Sequence, residues 1–469
     1  MRPRIFLLGV ALAAALVGGS RAASAGDVRP LSHDGALRLA AERNLSLLVS
    51  NMERARLGAA AEAARRPYLP ELLVETAGRN LAGDKQGAVD ATARLSYTSP
   101  YGQSLTATAS TTAGVAGNPE AQSALSIELS QALLRGGYQP GGAADLRQAD
   151  LDVKIAREQF RAQLNTLLSS VDRAYWNLAF ARADVEVRRR SLDRARSQFD
   201  ETRENIKRGL LAPGEIYIVE ENVVNFEDAM SRAEENLALA RSALRRLLVL
   251  PLDTTVEASS SIDASAVAEP NEADSIGVAV TRSPAVLVAR LAADRARVGV
   301  DADERRGLPQ LDAFGSLGLA AGRDANALPV PGDPRVRAGL RFSFPFSRGP
   351  DAARVRRART EYAQRSLQIQ DAEVDATTAV RDAATRIRAR RARLELAVRL
   401  VDLAQKKLDV QRDKYKSGLA TLPDVVRFQR DLDTATTNEL RARVDVLTAR
   451  TDLLTARGDL HEVLKVSVR

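Results

Sequence analysis

The 469-residue chain has no cysteine, two histidines, one tryptophan and few aromatic residues of any kind. Without cysteine there is no disulfide framework, no thiolate metal site, no cysteine nucleophile and no cysteine-linked lipid anchor. Two histidines are too few for an imidazole metal cluster. Aromatics at 4% argue against a membrane barrel built from one chain, which needs two aromatic girdles. Long apolar runs are also missing. What is abundant is alanine, leucine, arginine and acidic residues, the composition of long helices. Charged residues are 27% and hydrophobic residues 45%, which excludes a disordered tail.

The first segment reads as an address. Arg2 and Arg4 precede a short apolar core from Ile5 to Val17, and Ala23-Ser24-Ala25 has the small-x-small cleavage pattern. The apolar run falls short of the ~20 residues that a spanning helix needs. Residues 1–25 are therefore expected to be a signal peptide, and the mature chain an exported protein without a transmembrane helix.

The chain is then written twice. Arg66-Pro67-Tyr68-Leu69-Pro70-Glu71-Leu72 aligns with Arg305-Arg306-Gly307-Leu308-Pro309-Gln310-Leu311, and Arg43 to Val49 aligns with Arg282 to Val288 at the same offset. Ile206-Lys207-Arg208-Gly209-Leu210 aligns with Tyr415-Lys416-Ser417-Gly418-Leu419 at a smaller offset. The first copy thus carries an extra segment, between residues 80 and 125. The division is residues 26–250, a linker at 251–270, and residues 271–469. In each copy two short helices end at proline. Extended segments follow at about 71–131 and 311–346, rich in Ser, Thr, Ala and Gly. A long helical section then begins, at 143–250 and 351–460.

The long sections keep a strict seven-residue period. Leu164, Val171, Leu178, Val185, Leu192, Phe199 and Ile206 form one seam, broken beside it only by Arg188. Val380, Ile387, Leu394, Val401, Leu408 and Tyr415 form its counterpart. Val219, Phe226 and Ala233, and Val425, Leu432 and Val446, resume the pattern after a break. Such a period means coiled-coil packing. The breaks, Gly209 to Gly214 and Gly418 to Pro423, combine a glycine cap with a following proline. Each section is predicted to fold back as an antiparallel coiled-coil hairpin whose first arm is ~95 Å long at 1.5 Å per residue. Strand segments of ~9–11 residues fit an outer-membrane barrel. Four strands per chain cannot close one, since the smallest known has eight, so several copies would share it. The extra segment, containing Ser96 to Thr112, is read as an added hairpin or loop outside that core barrel.

These residues resemble the TolC-like outer membrane efflux proteins over nearly the whole mature chain. The resemblance rests on the duplicated helix–strand–helix layout and the Leu-Pro helix-to-strand junctions. It also rests on Ser130 to Gly137, echoed by Ser343 to Gly349, and on Tyr415 to Val426 with Gln429 following. It implies a mainly α fold with a β-barrel section: a homotrimer with a 12-helix periplasmic tube joined to a shared 12-stranded barrel in the outer membrane of a Gram-negative bacterium. It implies passive exit for a tripartite efflux or type I secretion system. The partners would be outer-membrane lipid, a periplasmic adaptor and an inner-membrane transporter of the RND or ABC type. The resemblance places Asp424, Glu215, Tyr415 and Arg427 as candidates at the periplasmic entrance. Gly209, Leu210, Gly418 and Leu419 become candidates for adaptor contact at the hairpin tips. Some members repeat the acid three residues after Asp424; here Arg427 stands there, with Ile218 in the first copy. Asp424 and Glu215 also suit the first turn of a return helix, where the helix dipole favours an acid. The rival from another class is a soluble periplasmic coiled-coil scaffold or adaptor.

No catalytic constellation emerges, and no cofactor or metal is expected. His33 and His461 lie in different segments and read as structural. Gly136-Gly137 and Gly141-Gly142 lack the strand and lysine of a phosphate cradle. The net charge of +8 falls by three with Arg2, Arg4 and Arg21, and the remainder is interleaved with acids along helices. A nucleic-acid partner is therefore not expected.

Overall fold

The computed structural model describes residues 28–79, 88–114, 121–135, 143–323, 329–332, 334–344, 346, 349–464 and 466. The predicted signal peptide, both predicted glycine pairs of residues 136–142 and parts of the two matching motifs lie outside them. The elements are β1 (Val28–Leu31), α1 (His33–Arg43), α2 (Leu45–Ala63), β2 (Glu71–Arg79), β3 (Ala88–Thr98), β4 (Gln103–Gly114) and β5 (Ala121–Ala132). Then come α3 (Ala144–Lys207), α4 (Glu215–Leu247), β6 (Thr255–Ala258), α5 (Glu272–Arg282) and α6 (Pro284–Arg306). The rest are β7 (Gln310–Arg323), β8 (Pro329–Pro331), β9 (Arg335–Ser343), α7 (Gly349–Lys416), α8 (Leu422–Arg457) and α9 (Leu460–Val463). Two compact units result. Described residues within Asn51–Phe160 and Ala285–Glu373 form one, and those within Met1–Ser50, Arg161–Pro284 and Val374–Arg469 form the other.

The first unit is built on one antiparallel sheet in the order β2-β3-β4-β5-β7, with β8 and β9 both paired to the far side of β7. β8 takes the Ala321–Arg323 end of β7 and β9 the Gln310–Gly318 end, so the two share one position, and the sheet is six strands wide. The segment expected outside the core barrel is corrected here. It forms the facing parts of β3 and β4, hydrogen-bonded between β2 and β5. Alternation explains why: Leu95 and Leu105 carry on the apolar face of Leu72, and Arg94 and Thr106 the polar face of Glu128, so only full insertion matches both. Around the sheet, helix segments are tied by charge pairs, Arg295 to Asp152 at 2.6 Å and Arg359 to Glu304 at 2.7 Å among them.

The second unit holds the coiled coils. Leu164, Val171, Leu178, Val185 and Leu192 are all buried along α3, as are Val380, Ile387 and Leu408 along α7. Leu192, Ala195 and Phe226 close the seam between α3 and α4, with Val223 and Met230 packed against them. Each hairpin is antiparallel. Arg196 of α3 reaches Glu227 of α4 at 2.8 Å, and Arg390 of α7 donates to the carbonyl of Asp445 on α8 at 2.8 Å. The seam break at Arg188 has a polar solution: its guanidinium meets Asp184 at 3.4 Å and Thr437 of α8 at 3.2 Å.

The segment expected to be a linker is not bare. β6 pairs in parallel with β1, and Val256, Ala258, Ala264 and Val267 are buried. One cluster holds this small sheet to α3. His33 Nε2 lies 2.7 Å from Asp172 Oδ1, Trp176 donates to the same oxygen at 3.1 Å, and the imidazole stacks on the indole. The Tyr175 hydroxyl donates to the carbonyl of Leu31 and accepts from the amide of Ser260. His461 belongs to a second clasp with Asn165, which also donates to the carbonyl of Gly458. Both histidines are thus packing residues. By length and composition the α5–α6 stretch, Glu272–Arg306, could cross a membrane. Extended backbone at Ser283 followed by Pro284 divides it into two helices.

Gly458 ends α8 in the left-handed conformation at φ 79°. A Cβ there would sit 2.8 Å from Pro284 and from the backbone of Ser283. Left-handed backbone costs a non-glycine residue about 1–2 kcal/mol, and forced overpacking typically about 1–3 kcal/mol more. Gly458→Ala is therefore expected to lower the thermal unfolding midpoint well beyond Gly418→Ala, where φ is also positive but nothing lies within 4 Å. Equal midpoints in calorimetry would refute the packing argument.

Candidate functional site: two hairpin tips and a two-faced sheet

At the first tip α3 ends on Gly209 at φ 73°, and the amide of Leu210 donates to the carbonyl of Asn205 at 2.9 Å. At the second, Gly418 has φ 74°, and Leu419 donates to the carbonyl of Lys414 at 2.8 Å. Both are six-to-one closures of the Schellman type, and the left-handed residue is glycine because a Cβ is disfavoured there. The same backbone presents Leu210 and Leu419 to solvent, 68% and 79% exposed. All four tip candidates therefore occupy equivalent positions in the two repeats.

The entrance candidates divide. Asp424 lies in the first turn of α8, where its Oδ2 accepts from the Thr421 hydroxyl at 2.6 Å and from the Thr421 amide at 3.3 Å. This is a capping arrangement between N-cap and third residue. Arg427, expected as a departure from an acidic pair, stands 3.6 Å from Asp424 and lies over the Phe428 ring. The Thr421 hydrogen bonds, then the Arg427 charge, hold the Asp424 carboxyl below its usual range. Tyr415 is half-buried on the seam. Burial first, then the nearby charges of Glu201 and Glu215, push its phenol up. Glu215 opens α4 with Oε2 buried and without a hydrogen-bond partner. Tyr415 of the second hairpin thus lies within the electrostatic reach of two acids of the first, while Asp424 and Arg427 pair with each other.

Sequence reasoning missed the polar layer between repeats. Asp433 of α8 is buried and meets Arg194 of α3 at 2.8 Å. Burial pushes its carboxyl up, against the pull of Ser191, Arg194 and Arg188. Arg430 donates twice to the buried Asn222 of α4, at 2.9 and 3.1 Å. The one available signal was Arg188 interrupting the apolar seam.

The sheet has two chemically distinct faces. Register places Leu72 beside Leu95, Leu105 beside Leu129, Ile127 beside Leu317 and Leu311 beside Phe342, all on one side. Most of these large side chains are exposed. The other side carries Glu75, Asp90, Arg94, Thr108, Glu128, Ser130 and Arg337. Its side chains bond one another: Thr112 donates to Asp90 at 2.7 Å, the Ser104 and Ser130 hydroxyls are 2.6 Å apart, and Arg341 lies 3.8 Å from Glu128. Among the described residues no group of three or more His, Asp or Glu side chains is placed to hold a metal ion.

Residues 276–459, essentially the second repeat, match the family model described as outer membrane efflux protein. The fold is similar to that of the Campylobacter jejuni CmeC outer membrane channel, with a TM-score of 0.67 and 15% identity over 91% of this chain and 86% of that one. It is similar to the outer membrane protein VceC of Vibrio cholerae, at 0.66 and 17% over 91% and 96%, respectively. The open-state MtrE outer membrane channel of Neisseria gonorrhoeae gives 0.66 and 16% over 91% and 88%. The chain thus resembles the outer membrane efflux proteins, in sequence over that segment and in fold over most of its length. No curated protein matches it in sequence. Members of the efflux protein family are transport channels rather than enzymes.

Capping by Asp424 gives a pH dependence with a definite sign. Its carboxyl is lowered in the folded protein. The stabilisation is therefore complete above the ordinary value of 3.8 and is lost as pH falls through the folded value. Hydrogen exchange of residues 421–425 is expected to lose protection on acidification through that range. In Asp424→Asn protection should be weak already and insensitive to the same titration. Unchanged protection in Asp424→Asn would remove the cap.

Proposed function

We propose that three copies of this chain form an outer-membrane exit duct. In that reading the sheets build the membrane wall and the coiled-coil hairpins a tube in the periplasm. Substrates of a tripartite efflux or type I secretion system leave through it passively. The observation that carries the reading is the sheet: an uncovered apolar face backed by a polar, hydrogen-bonded one is what a wall between lipid and water requires. A soluble periplasmic scaffold would need the hairpins but would have no use for a sheet face that exposes Leu72, Leu95, Leu129, Leu340 and Phe342 together.

The tips supply the regulated end in this proposal. The exposed Leu210 and Leu419, held out by Gly209 and Gly418, fit an apolar contact with helical hairpins of a periplasmic adaptor, itself coupled to an inner-membrane RND or ABC transporter. Asp424, Glu215, Tyr415 and Arg427 would line the closed entrance. Opening would separate Tyr415 from the first hairpin, where Glu201 and Glu215 now lie.

Two measurements test this. The protein is expected to require detergent for extraction, to migrate as a heat-sensitive trimer, and to conduct in planar bilayers. Release as a monomer by osmotic shock would sink the reading in favour of the scaffold. Within the channel, Asp424→Ala is expected to lower cation preference. Unchanged ion selectivity would assign Asp424 to capping alone.

A further inference from the structure

We propose that Arg335 and Arg337 of β9 form a site for anionic solutes, one that takes phosphate or carboxylate groups on the polar face of the sheet. Its part in transport, the selection of anionic substrates, rests on the duct reading above. β9 reads Arg335-Val336-Arg337-Ala338-Gly339-Leu340-Arg341-Phe342-Ser343. Successive strand side chains point to opposite faces. Val336, Ala338, Leu340 and Phe342 therefore share the apolar face, and all three arginines share the polar one. The strand has no acid.

The three arginines are not equivalent. Arg341 has partners: Glu128 at 3.8 Å, and the Phe314 ring, whose centroid is 5.2 Å from its guanidinium carbon. That ring also fills the space beside Gly339, where a Cβ would lie 3.1 Å from it. It thus stands between Arg341 and Arg337. Beyond it, Arg337 faces Ser316 and Arg335 faces Gly318 across β7, and neither neighbour carries a charge. Both arginines are exposed, and among the described residues no acid lies within ion-pair reach of either. Alternate residues of a strand are ~7 Å apart. The two guanidinium groups therefore repel each other, and an anion set between them relieves the repulsion. Each presents a planar fork of N–H donors that matches two oxygens of a phosphate or carboxylate.

The cross-strand row extends the same chemistry. Gly318 pairs with Ser126, Ser126 with Thr108, and Thr108 with the exposed Arg94. From β9 to β3 that row has an arginine at each end, hydroxyls between them and no acid. The acids of this face are engaged or distant. Asp90 accepts from Thr112 at 2.7 Å, Asp312 accepts from the Gln310 amide at 2.6 Å, and Glu128 faces Arg341. Glu75 lies on β2, at the other edge of the sheet. Arg335 and Arg337 thus set the sign of the field around β9. Arginines that only blunted a sheet edge would need neither a common face nor an uncharged strip beside them.

The probe is tripolyphosphate, added to the whole protein in planar bilayers of phosphatidylcholine. Block is read rather than ion preference, because Asp424 also bears on preference. Tripolyphosphate is expected to reduce the conductance of the natural protein in a concentration-dependent way. With Arg335→Gln and Arg337→Gln together, half-block should need about tenfold more of it, as the loss of charge-assisted hydrogen bonds implies. Arg341→Gln should leave half-block nearly unchanged, and Arg335→Lys with Arg337→Lys should keep most of it. Migration as a heat-sensitive trimer shows that each variant assembles. Calorimetric titration of the detergent-solubilised protein reads the same site without current, and its binding heat should vanish in the double glutamine variant. Equal block and equal binding in that variant would overturn the site while leaving the duct intact. Block that disappears when lipopolysaccharide is added to the bilayer would give the site to lipid phosphates and overturn the solute class. Binding without any conductance would leave the site and remove its part in transport together with the duct.

Discussion

Leu164, Val171, Leu178, Val185 and Leu192 are buried in sequence along α3, and at Leu192 and Ala195 that seam closes on Phe226 of α4. Burying such side chains contributes about 1.5–3 kcal/mol each, a return that an isolated helix of this polarity cannot obtain. The seam explains why each hairpin must turn where it does. Past Gly209 and Gly418 the chain has left-handed backbone and then proline, so the only continuation that keeps apolar residues covered is back along the same arm. It also explains the polar layer. Arg188 would be intolerable on the seam without Asp184 and Thr437 within hydrogen-bonding or ionic reach. Asp433 is buried only because Arg194 meets it. Buried pairs of this kind favour one registration of neighbours more than they add stability.

The helical part was legible because its signal is redundant. A seven-residue period repeated over many turns survives a single exception such as Arg188, and glycine followed by proline marks the ends. Where each strand section starts was legible too, since proline stops the preceding helices. What could not be read was how the strands pair. Ser, Thr and Ala alternate weakly, and a hairpin such as Ser96 to Thr112 has the same local pattern whether it stands apart or joins the sheet. Only cross-strand register, Arg94 opposite Thr108 and Ala107 opposite Ile127, shows that it continues both faces. The clasp of His33, Asp172 and Trp176 was hidden for a different reason. Its members are far apart in sequence, and a lone histidine carries no periodic signal.

The tip residues show how one side chain can serve two tasks at different levels. Asp424 has a local duty, since Thr421 at the N-cap leaves donors that a carboxylate three residues on can accept from. Arg427 then partly neutralises it. An acid so engaged is a weaker source of field across a passage than a free one. Glu215 is the contrast: it starts the equivalent helix, yet one carboxylate oxygen is buried without a partner. The two repeats keep the same backbone closure at their glycines and differ in how their acids are held.

Duplication sets the terms on which this chain can be complete. The last strand of the first repeat, β5, takes the first strand of the second, β7, as its neighbour. The same arrangement leaves β2 and β9 at the two edges of the sheet, running in opposite directions. The inserted hairpin preserves that arithmetic because it adds two strands of opposite direction. A single added strand would have made the two edge strands parallel to each other.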